Sequence, residues 1–454
     1  MPVLLPVALV SALSVGLSAR QWPQWRGPDG SGVVREGRIP VTWSESQGVA
    51  WRVPLDGAGV STPVSAGGLV FVTSQLGTGQ RRRGNHPSLV QGEAAATAGE
   101  RNLTGAAGDA VAFVLTAYGL DDGGRVWQYR MPAEGPMPEL HDKHNMATPS
   151  PATDGDVVVA WFGTGQVAAL TAADGRPLWS THLGREYGPF DITWGHASSP
   201  VLAGELVVLV CYHASQSYVL ALDKRTGAVR WKQDRPAGLL SYSTPLVVDT
   251  AQGPELVINS SEGLEAIGVA DGALRWQVRE SNRFPIPVAT VADGILYTTR
   301  GYRSGPTVAV ALGGRGDVTG SHVRWHVPTG APYVSSLVHY EGLIYTSNEG
   351  GIITCLDAAT GERVWQERAG GVFTASPIAG DGRVYFVSET GETVVLRAGR
   401  TFEVLARNRL DAHFVASPIA INGTIILRGD DTLIAVGSAA GRPETSTVKS
   451  VGGQ

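Results

Sequence analysis

The chain has 454 residues, of which 59 are glycine, and only 17% are charged, against about 25% in an ordinary soluble domain. Many glycines with few charges exclude helical bundles and coiled coils, and a hydrophobic share of 43% excludes wholesale disorder. A net charge of −5 argues against a general nucleic-acid binder, and two cysteines cannot build a disulfide scaffold.

Residues 3–17 are apolar and uncharged, and Gly16-Leu17-Ser18-Ala19 provides a small-residue cleavage site. Residues 1–19 therefore read as a secretory signal, too short for a membrane span, although the terminal amine is the segment's only positive group. No cysteine lies near the cleavage site, so a lipid anchor is not expected. Residues 20–48 form a lead-in segment. Val49–Val53 then reads as a strand carrying Trp51, with no neighbouring strands of its own.

From Pro63 onward one unit recurs: a Ser/Thr-Pro strand start, a β-branched run after glycine, a strand ending in a TG or DG turn, then Trp. Ser198–Trp231 and Ser335–Trp365 are its clearest copies. Strand starts fall at Pro63, Pro151, Pro200, Pro245, Val288, Leu337, Pro377 and Pro418, and after the first gap of 88 residues they lie 40–49 apart. The long first gap holds a polar Gly/Ala/Arg-rich insertion, residues 78–109, expected to be a mobile surface loop. Each unit contains four strand-like runs, which is the period of a propeller blade. Tandem sandwich domains would need roughly 100 residues each.

Eight starts predict an all-β protein with one eight-bladed propeller over residues 49–440. Outer-strand tryptophans fall at 127, 179, 231, 276, 325 and 365, with Leu405 in the corresponding place of the seventh blade. The eighth unit ends at residues 434–438 without an outer strand. The orphan Trp51 strand is predicted to complete it and so remove an open edge. Residues 441–454 are expected to be a disordered tail.

Ala221–Trp231 (ALDKRTGAVRW) and Cys355–Trp365 (CLDAATGERVW) resemble the tryptophan-docking repeat of PQQ-like propellers. That superfamily includes quinoprotein alcohol dehydrogenases and the outer-membrane assembly lipoprotein BamB. The opening Trp22–Gly32 also resembles the start of secreted PQQ-like repeat proteins. For a dehydrogenase the resemblance implies PQQ lying over a Trp beside a Cys-Cys disulfide, with Ca²⁺ held by Glu, Asn and Asp and with an Asp base. This chain has no Cys-Cys pair and no CxxCH haem site. Trp194 and Asp191 could only mimic the floor and the base.

Any site is expected where the loops leading into the innermost strands converge on the axis. Four residues before each strand start stand Gly59, Ala147, His196, Ser241, Phe284, Tyr333, Phe373 and Phe414, which either line a funnel or plug the axis. The loops sharing that face add His141, His144, Asn145, Asp191, Trp194, His213, Asn282, Arg283, Arg300 and Arg303. The ligand candidates are His144, Asn145, Asp191, Trp194, His196, His213, Arg283, Arg303, Tyr333 and Phe373. A His/Arg/aromatic mouth suits an anionic or quinone-like ligand, with Arg283 and Arg303 as a fork on a carboxylate. His141-x-x-His144 lacks a third ligand by spacing, so no metal site is expected. The reading is an exported, monomeric, non-enzymatic scaffold in the periplasm or cell envelope, binding an envelope protein or polymer and needing no cofactor. The alternative is a PQQ- and Ca²⁺-dependent dehydrogenase of an alcohol or sugar.

Overall fold

The computed structural model describes residues 21–77, 81–82, 103–104, 110–135, 141, 143–302 and 304–437. The expected signal (1–19), most of the 78–109 insertion, Arg303 and the C-terminal tail lie outside them. Within the insertion, Arg81–Arg82 pairs antiparallel with Leu103–Thr104.

Eight four-stranded antiparallel sheets form the blades of one propeller. Their strands run from the axis outwards, as in blade 3: Val201–Ala203, Leu206–Tyr212, Ser217–Asp223 and Val229–Arg235. The middle strands are continuous apolar runs because neighbouring blades cover both faces. Val157–Trp161 of blade 2 is buried at every position, whereas the outer strand of blade 1, Arg125–Pro132, alternates towards solvent. Blade 4 carries one extra short strand, Gly316–Asp317, lying parallel to its outer strand Leu274–Arg279.

Blade 8 is built from both ends of the chain. Val49–Pro54 pairs antiparallel with Thr432–Gly437, and Trp51 lies opposite Ala435. This closure agrees with the prediction from the orphan strand.

The repeat tryptophans join blade to blade. The indole N–H of Trp231 donates to Val269 O of blade 4 at 3.0 Å, and Trp51 donates to Leu120 O of blade 1 at 2.9 Å. The ring is thus latched across its closure in the same way as at the blade 3–4 interface. The turn glycine of the next blade receives the indole face. At Gly227, with φ +72°, a Cβ would lie 2.8 Å from the Trp179 ring, so both backbone and contact require glycine there. Trp276 departs from the pattern: it is 1% exposed and donates to Glu255 within its own blade at 2.9 Å.

The position equivalent to Trp in blade 7 is Ala406, opposite Val395, and not Leu405 as the spacing implied. A bulge beside it shifts the register by one residue. The lead-in segment fills the vacated volume. Ile39 and Trp43 are buried there with Trp51 and Tyr385, against Leu405 and Ala406. Asn408 holds the segment by accepting from Trp43 N at 2.9 Å and donating to Val41 O at 2.8 Å.

The first part of the lead-in crosses one face of the ring. Trp22 exchanges two backbone hydrogen bonds with Ser65 of blade 1, and Pro23 O accepts from Thr153 N of blade 2. The chain then reaches blade 7, where Gly32 and Val34 pair with Ala379. The fully buried Arg26 donates to Leu337 O, Pro377 O and Ser31 O, tying the strap to blades 6 and 7.

Candidate functional site: the axial cavity

A cavity of about 310 Å³ lies on the axis, within the size range of small-ligand sites. Its far end is reached by Trp25 of the strap. The first residues of the inner strands surround its lower part, and the predicted loops surround its upper part.

The lower part is a girdle of hydroxyls from the residue preceding each strand start. Thr62 N donates to Ser150 Oγ, Ser150 N to Ser199 Oγ, and Ser199 N to Thr244 Oγ1, at 2.9–3.1 Å. A second arc runs from Val288 N to Ser336, from Ser336 N to Ser376 and from Ser376 N to Ser417, each at 2.9 Å. In blade 5 the girdle position is Val288, whose N–H donates onward to Ser336 but which has no hydroxyl to accept from blade 4, so the sequence breaks between the arcs.

One upper wall is aromatic. Tyr302 packs against Phe284 and Tyr333 at ring separations of 4.9 and 5.3 Å, and Tyr242 adjoins Phe284. Trp194 completes this wall and meets His141 edge-on at 5.5 Å. Its φ of +78° is a strained conformation for a bulky residue, of the kind held at ligand sites. Arg283 sits at the exposed rim with its guanidinium over Phe284, and has no carboxylate partner among the described residues.

The opposite wall is ionic. Lys143 pairs with Glu389 at 2.7 Å, and Glu389 also accepts from Thr374 and faces His413 at 3.6 Å. Burial opposes its charge, but hydrogen bonds from His413, Lys143 and Thr374 outweigh it and hold the Glu389 carboxyl at about 2. Glu349 is different: burial dominates and raises it, although the Val334 amide donates to it at 3.2 Å.

His413 is raised to about 9 by its hydrogen bond to Asp430 and then by Glu389. A raised histidine stabilises the fold fully below its unfolded value near 6.5, and the contribution is lost as pH rises through about 9. The ring is 48% exposed, so screening limits the effect. We expect His413→Asn to cost no more than about 1 kcal/mol at pH 6 and nothing above pH 9.5, as read from denaturation midpoints at the two pH values.

Among the ten candidates, the structure places His144, Trp194, Arg283 and Tyr333 on the cavity. His196 and His213 lie behind the wall, with 1% and no exposure. His213 Nε2–H donates to His196 Nδ1 at 3.3 Å, and His196 Nε2–H donates to Ser198 O at 3.0 Å, a sequence that fits two neutral rings. Burial lowers both, and His144 is held at about 3 by burial and then by His141. Asn145 is spent on Ala58 O and Ala147 N, and Asp191 accepts from Ser215 N at the chain surface. Phe373 packs against Phe386 between blades 6 and 7. Arg300, also grouped at the mouth by sequence, is fully buried and donates to Ser260 O and Glu280 O. The proposed Arg283–Arg303 fork cannot be located, because Arg303 lies outside the described residues. The sequence reading missed Trp25, Lys143, Glu349 and the hydroxyl girdle. The girdle's signal was present as the Ser/Thr before each strand-start proline.

The residues do not fit PQQ held by Ca²⁺. Cys211 and Cys355 are buried in different blades, so no vicinal disulfide forms. Among the described residues no three His, Cys, Asp or Glu side chains converge as a metal site.

The chain resembles proteins of both named classes. The outer membrane protein assembly factor BamB of Yersinia pestis is 25% identical over 300 residues, covering 61% of this chain and 70% of that protein. Tetrathionate hydrolase of Acidithiobacillus ferrooxidans is 25% identical over 291 residues, covering 60% of this chain and 53% of the hydrolase. Among solved structures, quinohemoprotein alcohol dehydrogenase from Comamonas testosteroni superposes with a TM-score of 0.65 at 13% identity, covering 94% of this chain and 82% of that one. BamB from Moraxella catarrhalis superposes with a TM-score of 0.53 at 16% identity, covering 72% and 91%. At such identities the superpositions show the fold alone. A family model described as outer membrane protein assembly factor BamB matches residues 111–283, 265–376 and 349–444, and the chain belongs to that family.

Proposed function

We propose that this propeller is a non-enzymatic binding module of the cell envelope, receiving a protein or polymer partner at the mouth of its axial cavity. The observation that carries the reading is the chemistry of that cavity: rings, hydroxyls and a rim arginine converge there, while its lining carboxylate, Glu349, accepts from the Val334 amide and its lining ammonium, Lys143, is engaged by Glu389 behind the wall. Membership of the BamB family supports an envelope setting. The apolar segment at residues 3–17 supports export.

A photo-crosslinker placed at Arg283 in the full chain should capture a discrete envelope component, whereas one at Val229 on the outer strand of blade 3 should not. Equal capture at both positions would overturn the assignment of the mouth. The competing reading, oxidation of an alcohol or sugar with PQQ, has its own assay. Protein supplied with PQQ and Ca²⁺ should not reduce an artificial electron acceptor, and robust reduction that requires PQQ would replace the binding reading with the dehydrogenase.

A further inference from the structure

Among the described residues, six protons of the hydroxyl girdle have no protein acceptor. Ser150, Ser199, Thr244, Ser336, Ser376 and Ser417 each line the cavity, and each oxygen already accepts an amide from the neighbouring blade. All six residues are at most 8% exposed. A hydroxyl that accepts still has one proton to donate, and none of these six has a protein acceptor among the described residues. Trp25 adds a seventh donor at the far end, since its indole Nε1 is buried and has no partner among the described residues.

This end of the cavity is therefore rich in donors and poor in acceptors. Buried donors left unmade are costly, so a group that accepts several hydrogen bonds is strongly favoured here. The nearby charge has the matching sign. Arg26 is buried in the strap one residue from Trp25, and its hydrogen bonds among the described residues go to backbone carbonyls. Arg428 is also completely buried, and is bound by the hydroxyls of Ser61 and Ser74 beside the Val60 lining. Neither guanidinium has a salt-bridge carboxylate within 4 Å among the described residues. Above the girdle the wall turns aromatic with Tyr242, Phe284, Tyr333 and Trp194.

We propose that the axial cavity binds a small carboxylic acid with an apolar or aromatic body, its carboxylate received by the hydroxyl girdle and the Trp25 N–H, and its body lying along the aromatic wall. The inference rests on the reading of this cavity as a binding site and names the chemistry it takes. A carboxylate offers about four acceptor positions, which the converging donors can use. A neutral amide offers half as many and brings two donors of its own into a region that lacks acceptors.

The test is calorimetric titration of the full chain with 4-phenylbutyrate and with 4-phenylbutyramide, which share shape but differ in the acceptor group. The acid should bind at least about tenfold more tightly than the amide. Trp25→Phe keeps the ring and removes the N–H, and should weaken the acid about five- to tenfold while leaving the amide and the melting temperature nearly unchanged. Ser417→Ala provides a second variant, in which one girdle proton is lost and the acid again weakens selectively. Equal binding of acid and amide, no binding of either, or unchanged acid affinity in both variants would overturn the proposal. Crosslinking at Arg283 is independent of this floor, so partner capture with equal acid and amide binding would sink the carboxylate subsite and leave the binding module standing.

Discussion

Truncating Trp276 to alanine should cost about 3–5 kcal/mol, the range for a large aromatic removed from a packed interior. Its ring is 1% exposed and sits with Leu264, Val278, Val288 and Val318 between blades 4 and 5. The indole N–H is also one of two donors to Glu255, a carboxylate only 2% exposed, the other being Arg315 at 2.9 Å. Truncation therefore opens a cavity and removes a partner from a buried charge. Trp231→Ala should cost less, about 2–3 kcal/mol, because that ring is partly exposed although it spans the blade 3–4 interface. Urea midpoints of the two variants, compared at equal slope, read the difference. A larger loss at Trp231 would mean that the interface hydrogen bond outweighs burial.

That contrast shows what a repeat sequence carries. The Trp spacing identified each outer strand, because an indole docked on a turn glycine is a local rule repeated around the ring. It could not grade the tryptophans by burial. Whether a ring is covered depends on the chain lying over it, and over Trp276 that cover comes from Leu312 and Val318, in a connection peculiar to blade 5. The Leu405 assignment failed for a related reason. The turn of blade 7, closed by Arg397 N donating to Glu403 O, is one residue longer than the Asp223 N to Ala228 O turn of blade 3, so counting positions without pairing partners lands beside the true site at Ala406. The compensating Trp43 comes from a segment more than three hundred residues away.

The cavity was legible in the same uneven way. Loops converging on one mouth are a consequence of propeller topology, so Trp194, Arg283 and Tyr333 were found by position. His196 and Phe373 occupy the same repeat position as Tyr333, but their side chains turn into the blades. Repeat position fixes where a Cα lies, and rotamer and neighbouring volume decide which way the side chain faces. The hydroxyl girdle stands one residue before each strand start, in residues whose local role is strand punctuation. Its function depends on backbone amides donated by the preceding blade, a relation that a single copy of the repeat does not expose.

Removing residues 21–54 from the chain should abolish soluble folding. Three supports leave together. The first is the outer strand Val49–Pro54, whose loss uncovers the edge of Thr432–Gly437, a strand buried at its four central positions. An exposed apolar edge pairs with other chains. The second is the Trp51 latch to Leu120 O, a hydrogen bond that spans the blade 8–1 interface. The third is the packing of Ile39 and Trp43 into the space beside Ala406. Removing residues 21–34 alone is a different experiment. It takes the strap and its Trp25 floor but leaves the closing strand and the Trp43 plug in place. The shorter deletion should therefore remain a soluble monomer with a lowered melting temperature and an axial cavity open at both ends, whereas the longer one should elute as aggregate with no cooperative melt. Light scattering after gel filtration separates the two outcomes. A monomeric, cooperatively melting chain lacking 21–54 would show that seven complete blades and a three-stranded eighth hold the ring without the N-terminal strand. Aggregation of both deletions to the same extent would instead assign the structural role to the strap, with Arg26 anchoring blades 6 and 7 as the contact that matters most.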